Sequence, residues 1–97
     1  MPPALALLVF DAAVNNGVGR AIRWLQQALG VSVDGVLGNG TLAAIKSRDG
    51  DGAGLLAEFQ AQRLIFMAGL PTWRTFGVGW ARRLCRLPFE AVQMGER

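Results

Sequence analysis

Apolar positions in this chain fall into five runs of helical period, each broken by glycine, proline or an aspartate-glycine cluster. Positions 3–16, PALALLVFDAAVNN, are apolar on nearly every side, with proline only at the start, where a first helical turn tolerates it; they predict a central core helix. Asn15, Asn16 and Gly17 stop it. Val18, Ile22, Leu25 and Leu29 then recur at helical spacing, with Arg20, Arg23 and Gln27 on the opposite face and Gly30 as the terminator. The alternating VSVDG that follows reads as a short extended piece or only a turn. A third, short helix runs from Asn39 or Gly40 through Leu42 and Ile45, and SRDGDGAG after it reads as a flexible loop. The fourth helix spans roughly Leu55 to Met67, with Glu58, Gln60, Gln62 and Arg63 as its polar members, and Gly69 and Pro71 end it. Thr72 is the N-cap of a fifth, in which Trp73, Phe76, Trp80, Leu84 and Leu87 form the apolar stripe until Pro88 stops or kinks the helix. With no repeat, heptad array or pair of strands, the expected fold is all-α: a small bundle of about five helices over residues 1–97 as a single domain, with a glycine-rich loop between the second and third helices.

That loop, VSVDGVLGNGT, is the part of the pattern that demands an explanation. Gly35, Gly40 and Thr41 reproduce part of a phosphate-binding loop, but the lysine is missing and no apolar strand leads into it. The glycine order is also wrong for dinucleotide binding. A structural reading fits better. Asp34 accepts backbone N–H groups of the turn it opens, Gly35 takes a positive φ, Val36 and Leu37 fold inwards, and Gly38 leads into the helix that contains Thr41.

Composition narrows the function classes. A chain of 97 residues buries only about 60% of its unfolded surface. Yet 52% of its residues are hydrophobic, which predicts a dense helical core, a surface that belongs against another domain, or both. Ten basic residues, nine of them arginine, against seven acidic ones favour anionic partners without choosing among cell-wall polymers, nucleic acid and anionic lipid. The single cysteine, Cys85, has no internal disulfide partner and is expected to pack as a small core residue. The opening MPPALALLVF lacks a basic leader region, and Asp11 interrupts it well short of the roughly 20 residues of a membrane span, so neither a signal peptide nor a span is expected.

With these elements in place, LQQALGVSVDGVLGNGT resembles the L-Q-x-x-L-G, D-G-x-x-G-x-x-T signature of peptidoglycan-binding helical domains, in which Asp34, Gly35, Gly38 and Thr41 are the structural loop residues. Upstream, FDAAVNNG followed by that signature resembles the C-terminal domain of family-108 glycoside hydrolases, the phage-type and bacterial N-acetylmuramidases also described as secretion activators. GLPTWRTFGVGWARRL is similar to the last helix of that family, so the likeness extends from about Leu5 to Leu87. It implies a peptidoglycan-binding domain that holds glycan strands for a separate N-terminal muramidase domain, made in the cytoplasm of a bacterium or phage host and acting at the cell wall or periplasm. It also implies no cofactor, and the catalytic glutamate of the family, in an E-G-G context, has no counterpart in this sequence.

The residues by themselves also offer no catalytic pair. Glycoside hydrolysis usually needs two carboxyl groups about 5 to 9.5 Å apart. Here Asp11 lies within a helix, Asp34 serves its own turn, Asp49 and Asp51 fall in the flexible loop, and Glu90 and Glu96 fall in a tail. With no histidine and one cysteine, the usual zinc sites and nucleophile triads are excluded, so no metal and no catalysis are expected. For substrate binding the candidates are Asp11 and Asn15, one helical turn apart and able to hydrogen-bond sugar hydroxyl or acetamido groups; Trp73, whose flat face can stack on a sugar; and Arg74 and Arg82, which with Arg83 and Arg86 present a cationic edge. The structural alternatives are as definite. Asp11 pairs with an arginine while Asn15 caps its helix, Trp80 is buried, Trp24 lies beside its stripe, and the arginines form a solvated face. A basic nucleic-acid-binding or protein-docking module is the competing function. The connection GVSVDGVLGNG is too long for a helix-turn-helix, so no nucleic-acid partner is expected.

Overall fold

Proline at the first turn and glycine at the last define the first helix, α1 (Pro3–Asn16), and Gly17 serves both as its C-cap and as the N-cap of α2 (Val18–Leu29). The computed structural model describes residues 1–48 and 52–95, and among these every regular element is helical. Helix α2 closes in a Schellman arrangement: the N–H of left-handed Gly30 donates to the Gln27 carbonyl (3.2 Å) and that of Val31 to the Gln26 carbonyl (3.2 Å). After the glycine-rich loop come α3 (Asn39–Ser47), α4 (Gly52–Ala68) and α5 (Trp73–Gly95). VSVDG is loop rather than strand. The fourth helix begins earlier than its apolar pattern implied, with Gly52, Ala53 and Gly54 in its first turn; the expectation for Asp49 and Asp51 lies outside the described residues.

Helix α1 packs against α2, α4 and α5, α2 also against α3 and α4, and α4 against α5. Leu5, Leu8 and Ala12 of α1 meet Ala21, Trp24, Leu25 and Leu29 of α2, Leu55, Leu56 and Phe59 of α4, and Leu87 and Ala91 of α5 in one core. Trp24 sets its ring edge-on to Phe59, with centroids 6.5 Å apart, and tilted against Phe66 at 5.6 Å. It therefore belongs to the buried stripe of α2, whereas Val18, expected there, is exposed. The molecule measures 39 × 33 × 20 Å, and its short axis is only about two helix diameters. Such a slab cannot cover every apolar side chain. Helix α1, expected to be apolar core on nearly every side, leaves Phe10 and Val14 65% and 67% exposed.

Pro88 does not stop α5, which runs on to Gly95, so Glu90 is a helical residue and not part of a tail. Proline has no N–H to give the carbonyl four residues back, which in this helix is that of Leu84. The side chain of Gln60 fills the vacancy from α4: its Nε2 donates to the Leu84 carbonyl at 2.8 Å, and both residues are buried. A tertiary hydrogen bond thus replaces a missing local one.

Candidate functional site

Two polar knots are built into this apolar bundle, and they differ in what they leave open. The first is centred on Gln26, 1% exposed, in the LQQALG run of α2. Its Nε2 faces Asp34 Oδ1 (2.7 Å), the Val36 carbonyl (3.0 Å) and Thr41 Oγ1 (3.2 Å), while its Oε1 accepts from the N–H groups of Asp34 (3.1 Å) and Gly35 (2.9 Å). Asp34 Oδ1 in turn accepts the Val36 N–H at 2.9 Å. That bond first, and the Gln26 amide second, hold the Asp34 carboxyl below its ordinary pKa. Gly35 has a φ of 77°, and Arg23 lies across it so closely that a Cβ would come 3.3 Å from Arg23 Nε. Gly38 precedes α3, its carbonyl accepting the Leu42 N–H at 3.1 Å. One glutamine thereby ties the end of α2, the turn and the first turn of α3 together. Val36 and Leu37, expected to fold inwards, are exposed instead, because Gln26 and Thr41 occupy the inside of the turn.

The second knot is charged. Arg63, in the apolar run of α4, has a side chain only 2% exposed, and its Nη1 meets Asp11 Oδ2 at 2.7 Å while its Nε donates to Asn16 Oδ1 at 2.8 Å. The other Asp11 oxygen is taken by Arg83 of α5, which is half in solvent. Asp11, 14% exposed, therefore joins three helices. Beside it, Asn15 Nδ2 donates back to the Asp11 carbonyl at 2.8 Å, and Arg20 Nη1 donates to the Asn16 carbonyl at 3.2 Å while its guanidinium sits 4.3 Å over the Phe66 ring.

Above this knot lies a groove of about 300 Å³ between the end of α1, α4 and α5, walled by Asn15, Asn16, Arg63, Met67, Leu70, Trp80, Arg83 and Leu84. Trp80 is a groove wall and only partly buried, which corrects the expectation of a core residue; the apolar stripe of α5 enters the core only from Leu84 onwards. Its ring is held by Trp73 (centroids 6.1 Å apart) and by a stacked Phe76 (5.7 Å) that is itself exposed. Gly77 lets this happen. A Cβ there would stand 2.6 Å from the Trp73 ring, so a side chain at 77 would displace the ring from the helix surface.

The residues read from the sequence as sugar binders are thus distributed. Asn15 lines the groove; Asp11 lies in its supporting knot with both oxygens engaged; Trp73 backs Trp80. Arg74 is exposed away from the groove's lining, and Arg82 belongs to a shallow trough of about 360 Å³ along α5 with Arg83 and Arg86. Cys85 is exposed, contrary to the expected core position, because the buried side of α5 runs through Leu84 and Leu87. Sequence reasoning passed over Arg63, Asn16 and Gln26. A signal was available for the first: Asp11 is the single charge of α1 and Arg63 the single cation of α4, the pattern of a buried pair. Among the described residues no helix is long and apolar enough to cross a membrane.

Comparison with known proteins agrees with this architecture. A solved structure of Brucella abortus SagA superposes with a TM-score of 0.88 at 34% sequence identity, over 100% of this chain and 55% of that one. The chain therefore spans about half the length of that relative. Comparison with curated proteins gives no match. Residues 20–85 match the family described as the predicted peptidoglycan domain, a stretch that includes the whole Gln26 knot, Arg63, Trp80 and Arg83. The chain belongs to the predicted peptidoglycan domain family.

Proposed function

We propose that the chain is a non-catalytic peptidoglycan-binding domain and that the groove between α1, α4 and α5 is where it holds one amino sugar of the glycan. The observation that carries this reading is the pairing, in one cleft, of an amide (Asn15), a guanidinium (Arg83) and a tryptophan wall (Trp80), within a chain of this family. A volume of about 300 Å³ is at the lower end of small-ligand clefts, so it fits a single ring rather than a length of strand. Asn15 keeps its side-chain oxygen for an acetamido N–H, because its hydrogen bond to the Asp11 carbonyl uses only Nδ2. Trp80 offers an apolar face to the axial C–H groups of a sugar, and Arg63 and Asp11, locked together beneath, fix the floor.

In this reading the domain works as the C-terminal partner of an N-terminal muramidase domain, like that of the family-108 glycoside hydrolases it resembles. Two observations support a second domain: SagA is nearly twice as long as the aligned region, and α1 leaves Phe10 and Val14 bare. Weak binding by one shallow groove gains strength when linkage raises the effective concentration of substrate. Insoluble murein sacculi should pull the purified domain out of solution at low salt. Trp80→Ala and Asn15→Ala should each release several-fold more protein to the supernatant while the helical circular dichroism is kept. Wild-type protein that stays wholly in the supernatant sinks the proposal.

A further inference from the structure

The trough on α5 meets the sugar groove at one residue. Arg83 lines both, and Asp11 holds it in place between them. On the far side of Arg83 stand Arg82 and Arg86, one helical turn apart, both exposed and, among the described residues, without an ion pair. Gly79 leaves one end of the trough without a side chain, and Glu90 closes the other with a negative charge. From this juxtaposition we infer that the arginine trough binds carboxylates of the acidic stem peptide carried by the sugar in the neighbouring groove, an assignment that rests on the peptidoglycan reading above.

Charge and position argue for this ligand over a uniform polyanion. A nucleic acid or phosphate polymer carries its charge at every repeat, and along this stripe it would meet Glu90 at one end and an amide- and tryptophan-lined groove beside it. A neutral acetamido sugar with a peptide branch matches both halves: the ring beside Asn15 and Trp80, the carboxylates against Arg82 and Arg86. Guanidinium groups suit that task because they grip a carboxylate through two parallel N–H donors, which a lysine cannot reproduce.

The test measures binding to intact sacculi, to glycan stripped of stem-peptide carboxylates by carbodiimide-coupled amidation, and to a short DNA duplex. Wild-type protein should bind stripped glycan roughly tenfold more weakly than intact sacculi, the size expected when about 1.4 kcal/mol of contacts is lost. Arg82→Ala/Arg86→Ala should bind intact sacculi as weakly as wild type binds stripped glycan, and should lose nothing further on the stripped form. Arg82→Lys/Arg86→Lys should recover only part of the difference, and Glu90→Gln should strengthen binding to intact sacculi alone. Equal binding of wild type to both forms, an equal loss by the double alanine variant on both, or tighter binding to the duplex than to intact sacculi each overturns the assignment. Binding to neither form of glycan overturns the peptidoglycan reading and this assignment with it. The substituted side chains are exposed, so circular dichroism should report unchanged folding in every variant.

Discussion

The knot around Gln26 and the knot around Asp11 both bury polar atoms in an apolar bundle, yet the hydrogen bonds of the first close on its own loop, whose Asp34 and Thr41 also line a recess of about 260 Å³, while the second keeps an arginine at the surface. Gln26 meets partners only within its own loop and the start of α3, and every one of its bonds serves to hold a turn. Asp11 holds two arginines of which one, Arg63, is sealed inside while the other, Arg83, stands at the surface between two recesses. The comparison separates recognisability from function. In the proposed function the sequence signature with the most characteristic residues is scaffolding, and the binding surface is assembled from residues scattered over α1, α4 and α5.

The largest effect should come from removing the sealed cation. Arg63→Ala leaves Asp11 and Asn16 without their buried partner and is expected to cost about 3–5 kcal/mol in urea unfolding. Arg63→Met, which keeps the packing and removes the charge together with its hydrogen bonds, should cost less when combined with Asp11→Leu than Arg63→Ala does alone. A loss below 1 kcal/mol for Arg63→Ala would mean that the charged knot does not hold the helices together. Gln26→Leu comes next, at about 2–3 kcal/mol, because the Asp34 and Gly35 N–H groups and the Thr41 hydroxyl lose their partner together. Binding to sacculi by the fraction that remains folded should not change. If binding fell with Gln26→Leu at full helicity, the closed knot would have a role at the binding surface and the contrast would fail.

A smaller effect, about 1–2 kcal/mol, is expected for Gln60→Leu, which leaves the Leu84 carbonyl buried without a donor. Pro88→Ala should offset much of that loss, since alanine restores the N–H that the helix lacks; equal losses with and without proline would show that Gln60 acts through packing alone. The smallest effect concerns pH. The Asp34 carboxyl is lowered in the folded state by the Val36 N–H and by Gln26. Its contribution is therefore fully present above the ordinary aspartate pKa and is lost as pH falls through the lowered value. Asp34→Asn should flatten the acid side of the stability curve, and an unchanged acid slope in that variant would assign the acid sensitivity to another group.

Different parts of this picture were legible to different degrees. The ends of α1 and α2 and the start of α5 were readable because they depend on local chemistry: Gly17 and Gly30 stop α1 and α2, and Thr72 precedes α5, where its carbonyl accepts the Phe76 N–H at 3.1 Å; the start of α4 at Gly52 and the passage of α5 through Pro88 were not. Which side of a helix is buried was less readable. The spacing of Trp73, Phe76, Trp80, Leu84 and Leu87 defines a face, but whether that face meets another helix changes along its length, so Leu84 is buried and Phe76 is bare. The same holds for Val18 against Trp24 and for Cys85, each one step from the line along which its helix happens to touch its neighbours.

By itself the sequence determined an all-α chain, the joints between its helices, and a glycine-aspartate turn, because backbone preference, proline and glycine geometry and hydrophobic period all act over a few residues. Only tertiary packing decided that α5 continues through Pro88, that Asp11 and Arg63 meet across 52 positions, and that Asn15, Trp80 and Arg83 share one cleft. Those outcomes depend on which helices lie side by side. A buried charge or an unpaired carbonyl then takes its partner from whichever neighbour the fold provides.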